Sequence, residues 1–160
     1  MNIKNLTKLQ DLFRKSKKPV SELEYTRGNY DSCGNLIKEA LPTITTNFCE
    51  IGLHDHEIYF VFVIESKTFD IKLLDSIKNR PNVKIYGFSN CNKTLFPVKN
   101  FNPEIFIKEI QKDRYLQVQF DFKDISTYDL FKEYSNLINI FERTKITVIN
   151  QLEINLTKKN

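Results

Sequence analysis

The sequence predicts an α+β fold: a mixed, mainly antiparallel sheet with helices packed mostly on one face, ferredoxin-like or an elaboration of that arrangement. Three observations predict it. Segments whose apolar residues recur at every second position, such as Glu57 to Glu65 and Tyr115 to Phe122, are interleaved with segments at helical spacing, such as Leu6 to Lys15 and Leu130 to Phe141. Two of the strand-like segments, one ending at Leu53 and the next beginning at Glu57, are joined by too few residues for a parallel crossover, so they form a hairpin. A length of 160 residues supports one hydrophobic core but would leave two separate cores each marginal. Residues 1–160 therefore read as a single domain, with an N-terminal helix and loop over 1–35, a core over 36–154 and a frayed tail over 155–160.

Along the chain, Leu6, Leu9 and Phe13 share one face of an amphipathic helix, with Leu12 at its margin. Residues 17–35 hold Pro19, Gly28 and Gly34 among charged and polar residues without a sustained period, which reads as a loop. Leu36 to Leu41 fits a turn or two of helix ended by Pro42. Thr45 to Leu53 alternates as one strand, and Glu57 to Glu65 as a second that is apolar on both faces, the pattern of a strand covered on both sides. Thr68 is placed to cap a helix reaching about Asn79, with Phe69, Leu73 and Ile77 inward. Val83 to Phe88 is the next strand, with a short extended run at Leu95 to Val98 beside it.

Asn102, Pro103 and Glu104 signal a further helix start. In Leu116 to Phe122 one face is apolar and the other carries Gln117, Gln119 and Asp121, so this strand has one core face and one wet face. Ser126 or one of its neighbours caps a longer helix with Leu130, Tyr134, Leu137, Ile138 and Phe141 inward, ending near Thr144. A last strand over Ile146 to Ile154 follows, and as a strand–helix–strand unit it should cross over parallel and right-handed.

Composition narrows the function classes. An apolar fraction of 41% and an aromatic fraction of 12% are far above those of a disordered chain, so the chain folds. Four Gly leave little for a glycine-lined phosphate cradle, and no P-loop, GxGxxG, HExxH or GxSxG is present. The net charge of +4 is too small to set a strong field over the whole surface. Three cysteines, Cys33, Cys49 and Cys91, without a CxxC pair argue against a disulfide framework and for a reducing, cytoplasmic compartment. No apolar run approaches a signal sequence or a membrane span.

Chemistry-bearing clusters are few. His54, Asp55, His56 and Glu57 place both histidines at a hairpin tip, and with Cys49 they supply the ligand types of a zinc or other transition-metal site. Asp is equally a turn residue and His is ordinary at an exposed tip, so the turn outweighs the metal here. Cys33, beside Gly34, fits a reactive thiol only if a histidine comes to it from the hairpin. Arg14, Lys15, Lys17 and Lys18, with Tyr25 and Arg27 downstream, form a basic cluster suited to phosphates. The same cluster also suits the C-terminal end of a helix, where cations complement the dipole. Asp121 and Asp124 flank the end of one strand while Glu50, Asp55 and Glu57 crowd the hairpin.

These readings converge on a non-catalytic intracellular binding protein that acts through a protein partner or through self-association, with no cofactor and no membrane. A metal-dependent or thiol enzyme centred on His54 and His56, with Cys33 or Cys49, is second. A nucleic-acid binder using the Arg14 to Lys18 cluster is third.

Overall fold

The structure, a computed structural model, describes residues 3–25, 29–30, 33–34, 36–38, 41–54, 57–68, 71–77, 80, 82–88, 95–97, 115–146 and 148–149. The architecture is α+β. Helix α1 (Ile3–Lys15) leads into strands β1 (Glu24–Tyr25), β2 (Asn29–Tyr30), β3 (Leu36–Lys38), β4 (Pro42–Thr45), β5 (Glu50–His54) and β6 (Glu57–Glu65). A 3-10 turn at Ser66–Thr68 and helix α2 (Ile71–Ile77) precede β7 (Val83–Phe88), β8 (Leu95–Pro97) and β9 (Tyr115–Lys123), and helix α3 spans Thr127–Arg143. The main sheet runs β1-β4-β5-β6-β9-β7-β8, and each of its ladders is antiparallel; β2 and β3 pair separately.

The alternation read in the sequence sets the layers. Ile58, Phe60, Phe62 and Ile64 of β6 stand opposite Phe122, Phe120, Val118 and Leu116 of β9, all buried. The helices cover this face. Leu6, Leu9 and Phe13 of α1 and Leu130, Tyr134, Leu137, Ile138 and Phe141 of α3 are buried against it. Aromatic contacts bind the layers: Phe13 meets Tyr134 edge-on at 4.7 Å, Tyr134 meets Phe60 at 6.3 Å, and Phe141 lies 4.7 Å from Phe62.

Both long helices end alike. The amides of Lys17 and Lys18 bond to the carbonyls of Arg14 and Phe13, and those of Lys145 and Ile146 to Glu142 and Phe141. In each case the lysine takes a left-handed backbone, φ 56° at Lys17 and 57° at Lys145, which turns the chain back over the helix end. At its other end α3 is capped as expected: the Ser126 hydroxyl accepts the Asp129 amide at 3.1 Å.

Three expectations change. The helix expected from Leu36 begins instead as a strand: Leu36–Lys38 pairs with β2, and Pro42 opens β4 opposite Tyr25 of the edge strand, a position where its missing amide is tolerated. Six residues carry too little helix preference to resist strand pairing. The single strand expected over Thr45 to Leu53 is two strands, because Thr46 builds a turn. Its hydroxyl accepts the amides of Phe48 and Cys49 at 3.2 and 3.1 Å and receives the Tyr134 hydroxyl at 3.1 Å, tying the turn to α3. Within the loop read over 17–35, Val20 bridges to Thr46, and β1 and β2 form.

β6 is central, as its composition suggested, but only one of its faces is fully buried; Tyr59, Val61 and Val63 on the other are half-buried. A strand can be central in the sheet, with neighbours on both edges, without a layer on each face. Val148 bridges antiparallel to Ile64, so the segment after α3 runs parallel to β9 with β6 between them, and β6 and β7 likewise flank β9. The helix expected from Asn102 and the strand residues beyond Ile149 lie outside the described residues.

Candidate functional site

The strand register assigns every second residue to the sheet face turned away from the helices. Glu50, Val61, Gln119 and Lys84 make one row across β5, β6, β9 and β7. His54, Glu57 and Lys123 make a second row toward one end, and Val63 and Gln117 lie in the row on the opposite side of the first. Toward β4 the face is closed, because Thr43 and Thr45 are buried; the Thr45 amide and carbonyl are both bonded to Ser21.

Over β5 to β9 this face has a pattern. Its centre is uncharged: Tyr59, Val61, Val63, Gln117 and Gln119, all half-buried. Charged side chains surround that centre, Glu50 and Glu57 on the β5–β6 side, Lys84 and Lys123 on the β9–β7 side, and Glu65 with Lys67 at 3.3 Å at the far end. Beside Tyr59, on β9 between Gln119 and Lys123, the half-buried Asp121 is held by Lys84 at 2.9 Å and by the Gln119 amide at 2.7 Å.

Tyr59 lies over Gly52, whose place a Cβ would fill with the phenol ring. Burial, and secondarily the charge of Glu50, pushes the Tyr59 hydroxyl up to about 12.

At the Glu57 end the face turns into a cleft of about 600 Å³ lined by Glu57, Arg80, Asn82, Lys84, Asp121, Phe122, Lys123, Ile125 and Glu133. Its three acids and three bases balance. Two of the pairs are made: Arg80 to Glu133 at 3.0 Å, which fastens α3 to the residues after α2, and Lys84 to Asp121. Asn82 adds a side-chain bond to the Asp121 carbonyl and accepts the Asp121 amide on its own carbonyl. These bonds tie the residues after α2 to α3 and to β9.

The residues singled out in the sequence scatter. Cys49 is buried on the core face at the start of β5, 3.7 Å from the Thr46 hydroxyl, and burial pushes its thiol well up. His54 is exposed on the other face at the far end of β5. On opposite faces and five positions apart, roughly 16 Å of strand, the two do not share a ligand set. His56 lies outside the described residues, and among those described no group of three His, Cys, Asp or Glu is arranged to hold a metal. Cys33 is exposed and outside any disulfide.

In the basic cluster, Arg14 pairs with Glu22 at 3.0 Å, and the Lys18 ammonium stands 5.9 and 5.8 Å from the rings of Phe131 and Tyr134. Lys15 and Lys17 are exposed, and the Lys17 backbone closes α1. Tyr25 is exposed, and Arg27 lies outside the described residues. Glu57 and Asp121 do meet, in the cleft, but in company with Lys84, Lys123 and Arg80.

Sequence reasoning did not single out the face centred on Val61. The signal was present in the doubly apolar β6 beside the polar outer face of β9, but only the register shows that the two outer rows adjoin.

No helix among the described residues is long and apolar enough to cross a membrane. No family model and no curated protein matches the chain. Among solved structures it is similar to a conserved hypothetical protein from Pyrococcus furiosus, with a TM-score of 0.67 and 17% identity over 88% of this chain and 89% of that one. At such identity the likeness shows the fold, an α+β arrangement of helices on an antiparallel sheet, and that is where the chain is placed.

Proposed function

We propose that this is a non-catalytic, cytoplasmic binding protein that presents the face of its sheet turned away from α1 and α3 to another protein surface. The observation that carries this reading is the uncharged centre at Tyr59, Val61, Val63, Gln117 and Gln119 within a margin of Glu50, Glu57, Lys84 and Lys123. Depletion of charge at the centre, with an aromatic there and charges at the rim, is the anatomy of a protein–protein contact.

The test is a paired substitution that leaves net charge unchanged. Val61→Glu with Val63→Lys places both charges on the face; Asn136→Lys with Asn139→Glu, on the exposed side of α3, is the control. The complexes formed by the purified chain, and those isolated from its own cells, are compared by native mass spectrometry. Loss of a protein-containing complex in the face variant alone, with melting behaviour retained, supports the reading. Complexes unaffected by the face variant, or a chain that forms none, overturn it.

A further inference from the structure

Resting on that reading, we infer that the partner on this face is a second copy of the chain, packed sheet to sheet about a two-fold axis that runs between β6 and β9, parallel to the strands. The evidence is the arrangement of charge across the rows. A rotation about such an axis keeps each residue at its level along the strands and exchanges left for right. β5 of one copy then lies over β7 of the other, and β6 over β9.

In the row Glu50, Val61, Gln119, Lys84, this places Glu50 opposite the Lys84 of the other copy. In the row His54, Glu57, Lys123, it places Glu57 opposite the other copy's Lys123. Each pairing occurs twice by symmetry, giving four acid–base contacts around a centre in which Val61 and Val63 lie over Gln119 and Gln117, and Tyr59 lies over Asp121, whose charge Lys84 of its own chain already meets.

An axis perpendicular to the strands, between the rows, brings different levels together and loses the match. A face on an unrelated protein has no reason to reproduce it. The charge pattern is therefore self-complementary in one orientation, which is what a closed two-fold interface requires.

Distances are compatible. Aligned sheets pack about 10 Å apart with their strands within about 30° of each other, a gap that Glu and Lys side chains bridge from opposite sides. Four strands about 4.8 Å apart and up to nine residues long make a face of roughly 20 by 30 Å once side chains are included. That is about 600 Å² of plane, the order of the ~800 Å² of accessible surface each partner of a stable complex buries. The buried Thr43 and Thr45 mark where the uncovered area stops on the β4 side. Lys84 already holds Asp121 within its own chain, so its contact across the interface is shared, whereas Glu57 and Lys123 lie at the rim and are better placed for a test.

The experiment is sedimentation equilibrium of the purified full chain, with two single substitutions, Glu57→Lys and Lys123→Glu. Each alone sets like charges opposite one another twice in its own dimer, and is expected to weaken self-association roughly tenfold or more. Mixed one to one, they form a heterodimer in which the Glu57→Lys position of one copy faces the Lys123→Glu position of the other, and the native Lys123 faces the native Glu57. The mixture is expected to recover dimer that neither variant forms alone, and native mass spectrometry distinguishes the heterodimer by mass.

A dimer whose stability the single variants leave unchanged, or a mixture that stays monomeric while the wild type dimerises, overturns this packing. If the wild type is a monomer, self-association falls. A different polypeptide that is bound by the wild type and lost in Val61→Glu with Val63→Lys then leaves the sheet-face reading standing by itself. A dimer that survives that pair of substitutions refutes both.

Discussion

The phenol ring of Tyr59, on β6, lies directly across Gly52, its register partner on β5, in the space a side chain at 52 would occupy. The glycine is there for room. Gly52→Ala should therefore lower stability by about 1 to 3 kcal/mol, the usual cost of forcing a methyl group into a filled site. Replacing Tyr59 by Ala in the same chain should recover much of that loss. Urea unfolding of the two single variants and the double variant measures the coupling, and additive effects would show that the ring is free to move away.

Thr46 is the polar centre of the β4–β5 turn, accepting the amides of Phe48 and Cys49 and the hydroxyl of Tyr134. Thr46→Val keeps the shape and leaves these buried donors without their acceptor, at about 1 to 3 kcal/mol. Tyr134→Phe removes one donor and no acceptor, and should cost less, about 1 kcal/mol. Thermal unfolding of the two variants should rank them in that order.

Lys17 and Lys145 hold left-handed backbone at the ends of α1 and α3, where a side chain is a burden. Glycine at either position should raise stability, by up to about 1 kcal/mol, since both side chains are exposed. The same Lys17→Gly variant separates roles within the basic cluster. A gain in melting temperature marks a residue that serves the helix end.

Raising the Tyr59 hydroxyl to about 12 has a consequence for alkaline stability. Below pH 10, the ordinary tyrosine value, the phenol is neutral whether folded or unfolded, and its contribution is complete. Between pH 10 and about 12 the unfolded chain ionises while the folded one does not, so stability falls through that window. Chemical denaturation across this range should show a shallower decline for Tyr59→Phe than for the wild type. Identical declines would mean that the hydroxyl is solvated.

Cys49 should resist alkylation in the folded protein, because its thiol is fully buried and burial holds it protonated. Cys33 is exposed and should react. Peptide mapping after brief iodoacetamide treatment, with and without denaturant, distinguishes the two. Reaction of native Cys49 at the rate of Cys33 would revive the thiol reading of the hairpin.

How much the sequence disclosed follows from what each signal depends on. Periods of two and of about 3.6 depend on a segment's own residues and a single buried face, so β6, β9, α1 and α3 were all readable, including Ser126 as cap and Thr144 as end. The turn at Thr46 was not, since Asn47, Cys49, Ile51 and Leu53 alternate as one continuous strand would, and the Thr46 hydroxyl is fixed by Tyr134, 88 residues away. The segment from Leu36 was misread because so short a run carries little preference of its own, and pairing with β2 decided Leu36–Lys38. The candidate face could not be read at all as a unit. Glu50 and Lys84 stand in one row only because β9 inserts between β6 and β7, a fact of strand order that no local pattern records.

Whether the face centred on Val61 is a binding surface is most directly tested by sedimentation equilibrium of the wild-type chain beside Val61→Glu with Val63→Lys. A dimer in the wild type and a folded monomer in the variant is the predicted result. Two dimers of equal stability would contradict the account, because association would then proceed through some other part of the molecule.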